Sequence, residues 1–149
     1  MQHFDAPRSE LRISANIYKI YNHLQKYGFA QGLVFAKDSR EYIGRAGLTH
    51  LDFREVPEIE LGYFLFEKHW GKGYATELAA ALLQYAFEVL DKEKVYATVS
   101  PDIIASCRVA EKVGMVIEKE DIYETHNKRV RFYAMNKADY LARGHTDEV

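Results

Sequence analysis

The segment Trp70-Gly71-Lys72-Gly73-Tyr74-Ala75-Thr76-Glu77 lies between two apolar patterns of different period. Between residues 59 and 66, Ile, Leu, Tyr and Leu occupy every second position, which is typical of a β-strand, and the positions between them are also largely apolar. Between residues 75 and 89 the apolar residues recur at three- and four-residue steps, which predicts a long helix. The segment is therefore a glycine-rich turn that leads from a central strand directly into a helix.

Hydrophobic periodicity and turn residues also predict the elements that precede and follow this segment along the chain. They are a helix over 9–27 that stops at Gly28, a hairpin of strands 32–37 and 42–51, a short strand over 95–99, a helix over 103–113 that stops at Gly114, and a hairpin of strands 116–123 and 129–135. This order favours an α/β domain with a mixed, mostly antiparallel central sheet flanked by helices. The β-helix-β crossover at the glycine turn predicts that the third and fourth strands are parallel and adjacent.

Length and composition restrict the class of protein. The 149 residues, of which 48% are hydrophobic, are enough for a single domain over 1–149 and too few for two. A net charge of -2 argues against a nonspecific nucleic-acid binder, and no apolar run approaches the roughly 18 residues of a membrane span. With one cysteine, Cys107, and no secretory signal, we expect a cytoplasmic protein. The histidines show no metal-ligand spacing, so we predict surface histidines and no metal.

The glycine turn has the properties of an anion site. Its backbone N–H groups and the positive end of the following helix dipole would face the same point, and Lys72 and Thr76 would add a charge and a hydroxyl. The segment fits neither a Walker loop, because Gly73 follows Lys72, nor the dinucleotide-binding fingerprint, because Thr76 stands where that motif has glycine or alanine. The alternative is a tight turn with a solvated lysine.

Four blocks in this order resemble the GNAT N-acetyltransferase superfamily, in the branch that contains ribosomal-protein N-terminal and spermidine acetyltransferases. The blocks are Ile43–Leu48, Glu60–Tyr63, Trp70–Glu77 and Ser106–Gly114, and the resemblance covers roughly residues 28–139. It implies the acyl-CoA N-acyltransferase fold and transfer of an acetyl group from acetyl-CoA to a primary amine. In this family the amine attacks the thioester directly in a ternary complex.

The resemblance also implies the cofactor site. The glycine turn would hold the pyrophosphate of acetyl-CoA, and the pantetheine arm would pair with the end of the central strand like an added strand. Gly62 is a predicted bulge in that strand. The implied cofactor-binding residues are Leu65, Phe66, Gly71, Lys72, Gly73, Tyr74, Ala75 and Thr76.

Two residues carry the catalysis that the resemblance implies. Glu60 is the candidate general base, acting directly or through water, and its alternative role is to anchor a neighbouring loop. Ser106 is the candidate acid for the coenzyme A thiolate, and its alternative role is a hydrogen bond to its own helix backbone. Related enzymes use a tyrosine four residues after this serine, where the chain has Ala110.

The chain departs from the family pattern at two places. Ile103 stands where the family has a cofactor-contacting asparagine, and the first strand of the family sheet is missing from the predicted elements. The sheet edge is then either exposed or completed by another subunit, as in a homodimer. These departures leave open an alternative function, a non-catalytic or weakly active acyl-CoA-binding protein of the same fold.

The acceptor is expected to be a small-molecule or peptide amine, with no nucleic-acid or membrane partner. Asp52, Glu55, Glu58 and Glu60 favour a cationic acceptor, although such a cluster is also typical of a solvated loop.

Overall fold

The chain folds into a six-stranded sheet flanked by four α-helices in the computed structural model, which describes residues 10–51, 58–123 and 128–144. The elements are α1 (Glu10–Tyr27), β1 (Gln31–Phe35), β2 (Tyr42–Leu51), β3 (Glu58–Leu65), α2 (Tyr74–Gln84), β4 (Lys94–Val99), α3 (Ile104–Lys112), β5 (Val116–Tyr123), β6 (Lys128–Asn136) and α4 (Lys137–Ala142). A 3-10 turn, Glu67–His69, precedes α2, and a π-helical turn, Tyr85–Val89, prolongs it.

The strands lie in the order β1-β2-β3-β4-β6-β5. The parallel pair is β3 with β4, and the other neighbours are antiparallel. The predicted α/β class, both hairpins and the parallel crossover are therefore confirmed. The crossover explains the position of the glycine turn. From the end of β3 the chain passes through this turn into α2, and it returns as β4 beside the start of β3.

The central pair separates soon after it forms. β3 and β4 are paired only at Ile59 with Val95 and at Glu60 with Tyr96, whereas β2 follows β3 along its whole length, from Glu58 to Leu65. Residues 61–65 of β3 therefore form no backbone pairs with residues 97–99 of β4. This separation leaves a cleft in the middle of the sheet, and the glycine turn lies at the end of β3 beside it.

The two faces of the sheet are covered differently. Helices α2 and α3 pack on one face, where the main core lies between Leu61, Val95, Leu83, Ala110 and their neighbours. On the other face a smaller cluster surrounds Tyr96, Phe132 and Ala134, and Glu60, Gly62 and Phe64 of β3 remain half-buried. The second face of β3 is thus less covered than its apolar sequence suggested.

Several details differ from the sequence-based expectations. Helix α4 was not predicted, although Asn136 marks its start by accepting a hydrogen bond from the Asp139 N–H at 2.8 Å. The predicted bulge at Gly62 is wrong, because the β2–β3 register passes through Gly47 and Gly62 without a shift. His69 is buried rather than on the surface. No helix in the described ranges is long and apolar enough to cross a membrane.

Candidate active site

The glycine turn places uncapped backbone donors at the start of α2. Gly71 and Gly73 adopt positive φ angles of 74° and 85°, and Gly73 is the residue that precedes the helix. No side chain caps this helix, so the N–H groups of its first turn, from Tyr74 to Thr76, have no intrahelical acceptor. A Cβ atom built on either glycine would meet no atom within 4 Å, so the space beside both glycines is open. The arrangement suits a phosphate group.

Trp70 fixes the turn against the end of β3. Its indole Nε1 donates a hydrogen bond of 2.8 Å to the Leu65 carbonyl. The Leu65 side chain is buried with Ile43 and packs with Tyr74 and Ala75 at the start of α2. The anion site and the strand end are therefore held together both by this hydrogen bond and by apolar contacts.

The backbone of β3 presents unpaired groups to the cleft. Phe66 donates its N–H to the Ile43 carbonyl at 3.1 Å, so in an antiparallel pair the even-numbered residues of β3 bond to β2. The odd-numbered residues then face the cleft, where Tyr63 offers both its N–H and its C=O and Leu65 offers its N–H. A cofactor arm that pairs with this edge would use the backbone of Tyr63 and Leu65, while Phe66 has only its exposed side chain to offer.

Glu60 lies where the two strands separate. Its carboxylate Oε2 accepts a hydrogen bond of 2.6 Å from the Thr98 hydroxyl across the cleft. Burial raises the pKa of Glu60 above its usual value, and the hydrogen bond from Thr98 opposes that rise. The group is half-buried and holds its proton more tightly than an exposed carboxylate does, which suits a group that accepts a proton and then releases it.

Ser106 lies across the sheet from Glu60. It is half-buried in the first turns of α3, and its hydroxyl lies close to the Tyr63 hydroxyl. Burial raises the pKa of Tyr63, and the neighbouring Ser106 hydroxyl lowers it by a smaller amount, so the phenol is protonated near neutral pH. The pair places hydroxyl groups on the α3 side of the cleft.

Two further site residues, Tyr63 and Thr98, were not assigned functions from the sequence. The alternation on β3 placed Tyr63 among buried apolar residues, and nothing in that pattern distinguished its hydroxyl from a core side chain. Nothing in the sequence of the short strand 95–99 distinguished Thr98 from its neighbours. Their only sequence signal is a polar atom near the carboxyl end of each parallel strand, where such strands commonly position functional groups.

Other polar candidates lie outside the cleft or are engaged elsewhere. Cys107 is buried, with its Sγ 3.7 Å from the Ser100 carbonyl, in agreement with the predicted role of a small core residue. Asp52 and Glu55 lie outside the described residues. Within the described ranges no three His, Cys, Asp or Glu side chains are grouped so as to hold a metal ion.

Comparison with known families matches residues 1–116 to the family described as "Acetyltransferase (GNAT) domain". The chain belongs to this family. The GNAT domain is also similar in sequence to the uncharacterized protein YkkB of Bacillus subtilis (strain 168), with 37% identity over 101 residues. That match covers 66% of this chain and 59% of YkkB, so the chain spans about three fifths of the length of this relative.

Solved structures have the same fold. An acetyltransferase from Agrobacterium tumefaciens str. C58 is 27% identical, with a TM-score of 0.71 over 88% of this chain and 74% of that one. The spermidine N-acetyltransferase of Vibrio cholerae, solved in complex with CoA and spermine, has a TM-score of 0.74 at 20% identity. That match covers 92% of this chain and 81% of that one, and it shows the shared fold alone.

This GNAT domain has an unusual start to α3. Ile103, which stands where the resemblance implied asparagine, is the residue that precedes the helix, and it makes no side-chain cap. The Ser100 hydroxyl accepts a hydrogen bond of 3.4 Å from the Asp102 N–H, before the helix begins. The start of α3 therefore depends on backbone hydrogen bonds, such as that from the Ser106 N–H to the Ile103 carbonyl.

Proposed function

We propose that the protein is an N-acetyltransferase that transfers the acetyl group of acetyl-CoA to a primary amine in a ternary complex. The observation that carries this proposal is the cleft between β3 and β4. It has an uncapped helix start at one end, a carboxylate on one face and a pair of hydroxyls on the other. Family membership and the CoA bound by the Vibrio cholerae structure support the same reading.

The chain has groups that fit acetyl-CoA. In the proposed complex the N–H groups from Gly71 to Thr76 bind the pyrophosphate, with Lys72 beside them, and the cleft edge of Tyr63 and Leu65 pairs with the pantetheine amides. When bound, acetyl-CoA supplies the activated thioester carbonyl that the amine attacks. The open space at both glycines is what a phosphate in this position requires.

Glu60 is the proposed proton acceptor. As the amine nitrogen bonds to the acetyl carbon, the nitrogen loses a proton, which Glu60 takes directly or through one water molecule. Thr98 keeps the carboxylate oriented toward the cleft by its hydrogen bond to Oε2. Because burial raises its pKa, the Glu60 carboxylate is a stronger base than an exposed carboxylate.

Ser106 and Tyr63 are the proposed proton donors on the other side. When the carbon–sulfur bond breaks, the leaving thiolate takes a proton from the Ser106 hydroxyl, and the neighbouring Tyr63 hydroxyl stabilises the serine oxygen as it loses that proton. The free thiol then carries the proton that the Ser106 hydroxyl gave up, and Glu60 carries the proton that the amine gave up. Glu60 returns its proton to solvent, and solvent restores the hydroxyl.

The test is a calorimetric titration with acetyl-CoA of the wild type and of the variants Gly73→Asp and Gly73→Asn. Both variants place a side chain of the same size at a positive φ, and only Asp adds a negative charge beside the proposed phosphate. We expect micromolar binding by the wild type, about -8 kcal/mol, weaker binding by Gly73→Asn and no measurable binding by Gly73→Asp. Equal binding by the Asp and Asn variants would place the phosphates elsewhere.

The same samples separate the enzyme from the alternative, a non-catalytic acyl-CoA-binding protein, which the uncapped start of α3 at Ile103 favours. Release of free thiol in the presence of a panel of primary amines identifies the enzyme. Tight acetyl-CoA binding without thiol release from any amine identifies the binding protein.

A further inference from the structure

A pocket opens between α1 and strands β1 and β2, on the face of the sheet that carries Glu60. It has a volume of about 270 Å³, and its main lining residues are Lys19, Ile20, His23, Gln31, Arg45 and Thr49. Among the residues that the structure describes, the lining includes two basic side chains, Lys19 and Arg45, and no carboxylate. The pocket is therefore positively charged.

The two cations have no partner among the side chains that the structure describes. Neither Lys19 nor Arg45 forms an ion pair or hydrogen bond within those ranges, unlike Arg131, which is paired with Glu120 at 2.6 Å. Two like charges that face the same cavity repel each other, and a bound anion would relieve that repulsion. The pocket thus has the chemistry of an anion site.

His23 gives the pocket a fixed wall. Its Nε2 accepts a hydrogen bond of 2.8 Å from the His50 N–H, so Nδ1 carries the hydrogen of the 2.7 Å bond to the Phe29 carbonyl. These bonds tie α1 to β2 and to the turn before β1. Lys19 lies one helical turn before His23 on α1, so its position over the sheet follows from the same contacts.

The pocket adjoins the proposed catalytic carboxylate. Thr49 is the direct cross-strand neighbour of Glu60 in the β2–β3 pair, with the two side chains on the same face. The Gln31 amide covers Gly62, where an added Cβ would lie 3.3 Å from its Nε2. Arg45 lies four residues from Thr49 along β2, which is about 13 Å in an extended strand. A short extended molecule with one end in the cleft beside Glu60 could therefore reach Lys19 and Arg45 with its other end.

We propose that the acceptor is an amine that also carries a carboxylate several bonds away, with Lys19 and Arg45 binding the carboxylate and Glu60 taking the amine proton. This inference rests on the proposed function and narrows its substrate class. A polycation such as the spermine in the Vibrio cholerae structure would meet two unpaired cations here. Of the acids that favoured a cationic acceptor, Glu58 lies 3.4 Å from the Tyr96 hydroxyl rather than in the pocket.

The probes are triglycine, its C-terminal amide and spermidine, with thiol release from acetyl-CoA as the assay. Triglycine and triglycinamide differ in the charge of the C-terminal group. An extended tripeptide spans about 10 Å, and the length of the Arg45 side chain covers the rest of the roughly 13 Å between Arg45 and Thr49. In the wild type we expect kcat/KM for triglycine to exceed that for the amide by about tenfold or more, because the neutral amide cannot form the charge-assisted hydrogen bonds that the carboxylate forms with Lys19 and Arg45. Spermidine is expected to be the poorest acceptor.

The variants Lys19→Gln and Arg45→Gln test whether these cations cause the preference. Lys37→Gln is the matched control, because Lys37 is an exposed cation in the β1–β2 turn outside the pocket. We expect the first two variants to raise KM for triglycine and remove its advantage over the amide, and the control to preserve both. KM for acetyl-CoA should be the same in all three.

Binding of both peptides to the protein loaded with coenzyme A, measured by calorimetry, gives a readout that needs no turnover. Triglycine binding that Arg45→Gln weakens supports the inference, and equal affinity for the peptide and its amide overturns it. A preference for spermidine also overturns it. A wild type that binds acetyl-CoA and acetylates all probes alike refutes this inference and leaves the proposed function standing, whereas a failure to bind acetyl-CoA refutes the proposed function.

Discussion

The two faces of strand β3 differ although they belong to the same eight residues. Ile59, Leu61 and Leu65 point toward α2 and α3, and their side chains are 1%, 4% and 2% exposed. Glu60, Gly62 and Phe64 alternate with them and remain half-buried on the face nearest α1. One face is a close-packed core, and the other leaves room for a polar pocket and a carboxylate.

This difference shows how one strand combines stability with function. The covered face contributes most of the burial energy, so the other face can keep a half-desolvated carboxylate and unpaired cations without unfolding the sheet. The cleft beyond Glu60 has the same origin, because α2 and α3 hold β3 and β4 in place after their mutual pairing ends. If this account is right, substitutions on the two faces should affect different measurements.

The largest effect on stability is expected for Leu61→Ala on the covered face. Removal of a fully buried leucine side chain should lower the free energy of unfolding by about 3 kcal/mol, because it removes apolar burial and leaves a cavity. Thr49→Val on the open face keeps the side-chain volume and should change this free energy by less than about 0.5 kcal/mol. Urea unfolding followed by circular dichroism measures both, and equal losses would contradict the division between the faces.

The largest effect on activity is expected for Glu60→Gln on the open face. Without the carboxylate the proton of the attacking amine has no acceptor, so kcat should fall by about 100-fold or more. The glutamine oxygen can still accept the Thr98 hydrogen bond, so the unfolding free energy should change little. Thr98→Val serves as the matched variant, because it keeps the carboxylate and loses only its orienting bond. A full rate in Glu60→Gln would assign the base elsewhere and leave Glu60 as an anchor.

The sequence predicted the parts of the site that depend on backbone pattern. Alternating and helical periods located β3 and α2, and the glycines between them predicted the uncapped helix start that Gly71 and Gly73 form. It could not predict partners that meet through the fold, such as Thr98 with Glu60 or Tyr63 with Ser106, because these residues are more than 35 positions apart along the chain. The pocket between Lys19 and Arg45 was missed for the same reason.

A smaller effect is expected where the covered face meets the cleft, at the neighbouring hydroxyls of Tyr63 and Ser106. Tyr63→Phe removes one hydroxyl without changing the packed ring, so kcat should fall about fivefold, the value of one hydrogen bond near 1 kcal/mol. Ser106→Ala should reduce kcat further if it donates the proton to the thiolate. In the double variant the effects should not add, because both single changes disrupt the same pair of hydroxyls. Additive losses would indicate independent roles.

The smallest effect is a pH dependence that Glu60 introduces into stability. Burial raises the pKa of Glu60 above the value that this group has in the unfolded chain, so the folded state binds the proton more tightly. The contribution of this group to stability is therefore fully present below the unfolded pKa and is lost as pH rises through the folded pKa. Glu60→Gln cannot titrate, so the wild type should lose stability relative to this variant over that interval.

Urea unfolding of both proteins at a series of pH values from 4 to 8 measures this difference directly. A wild type that instead gains on the variant as pH rises would mean that the hydrogen bond from Thr98 outweighs burial, with the pKa of Glu60 below its usual value. The Glu60 carboxylate would then be a weak base, and the two faces of β3 would differ only in how closely their side chains are packed. If the wild type loses stability over the same pH interval in which kcat rises, ionisation of Glu60 both lowers the free energy of unfolding and supplies the base.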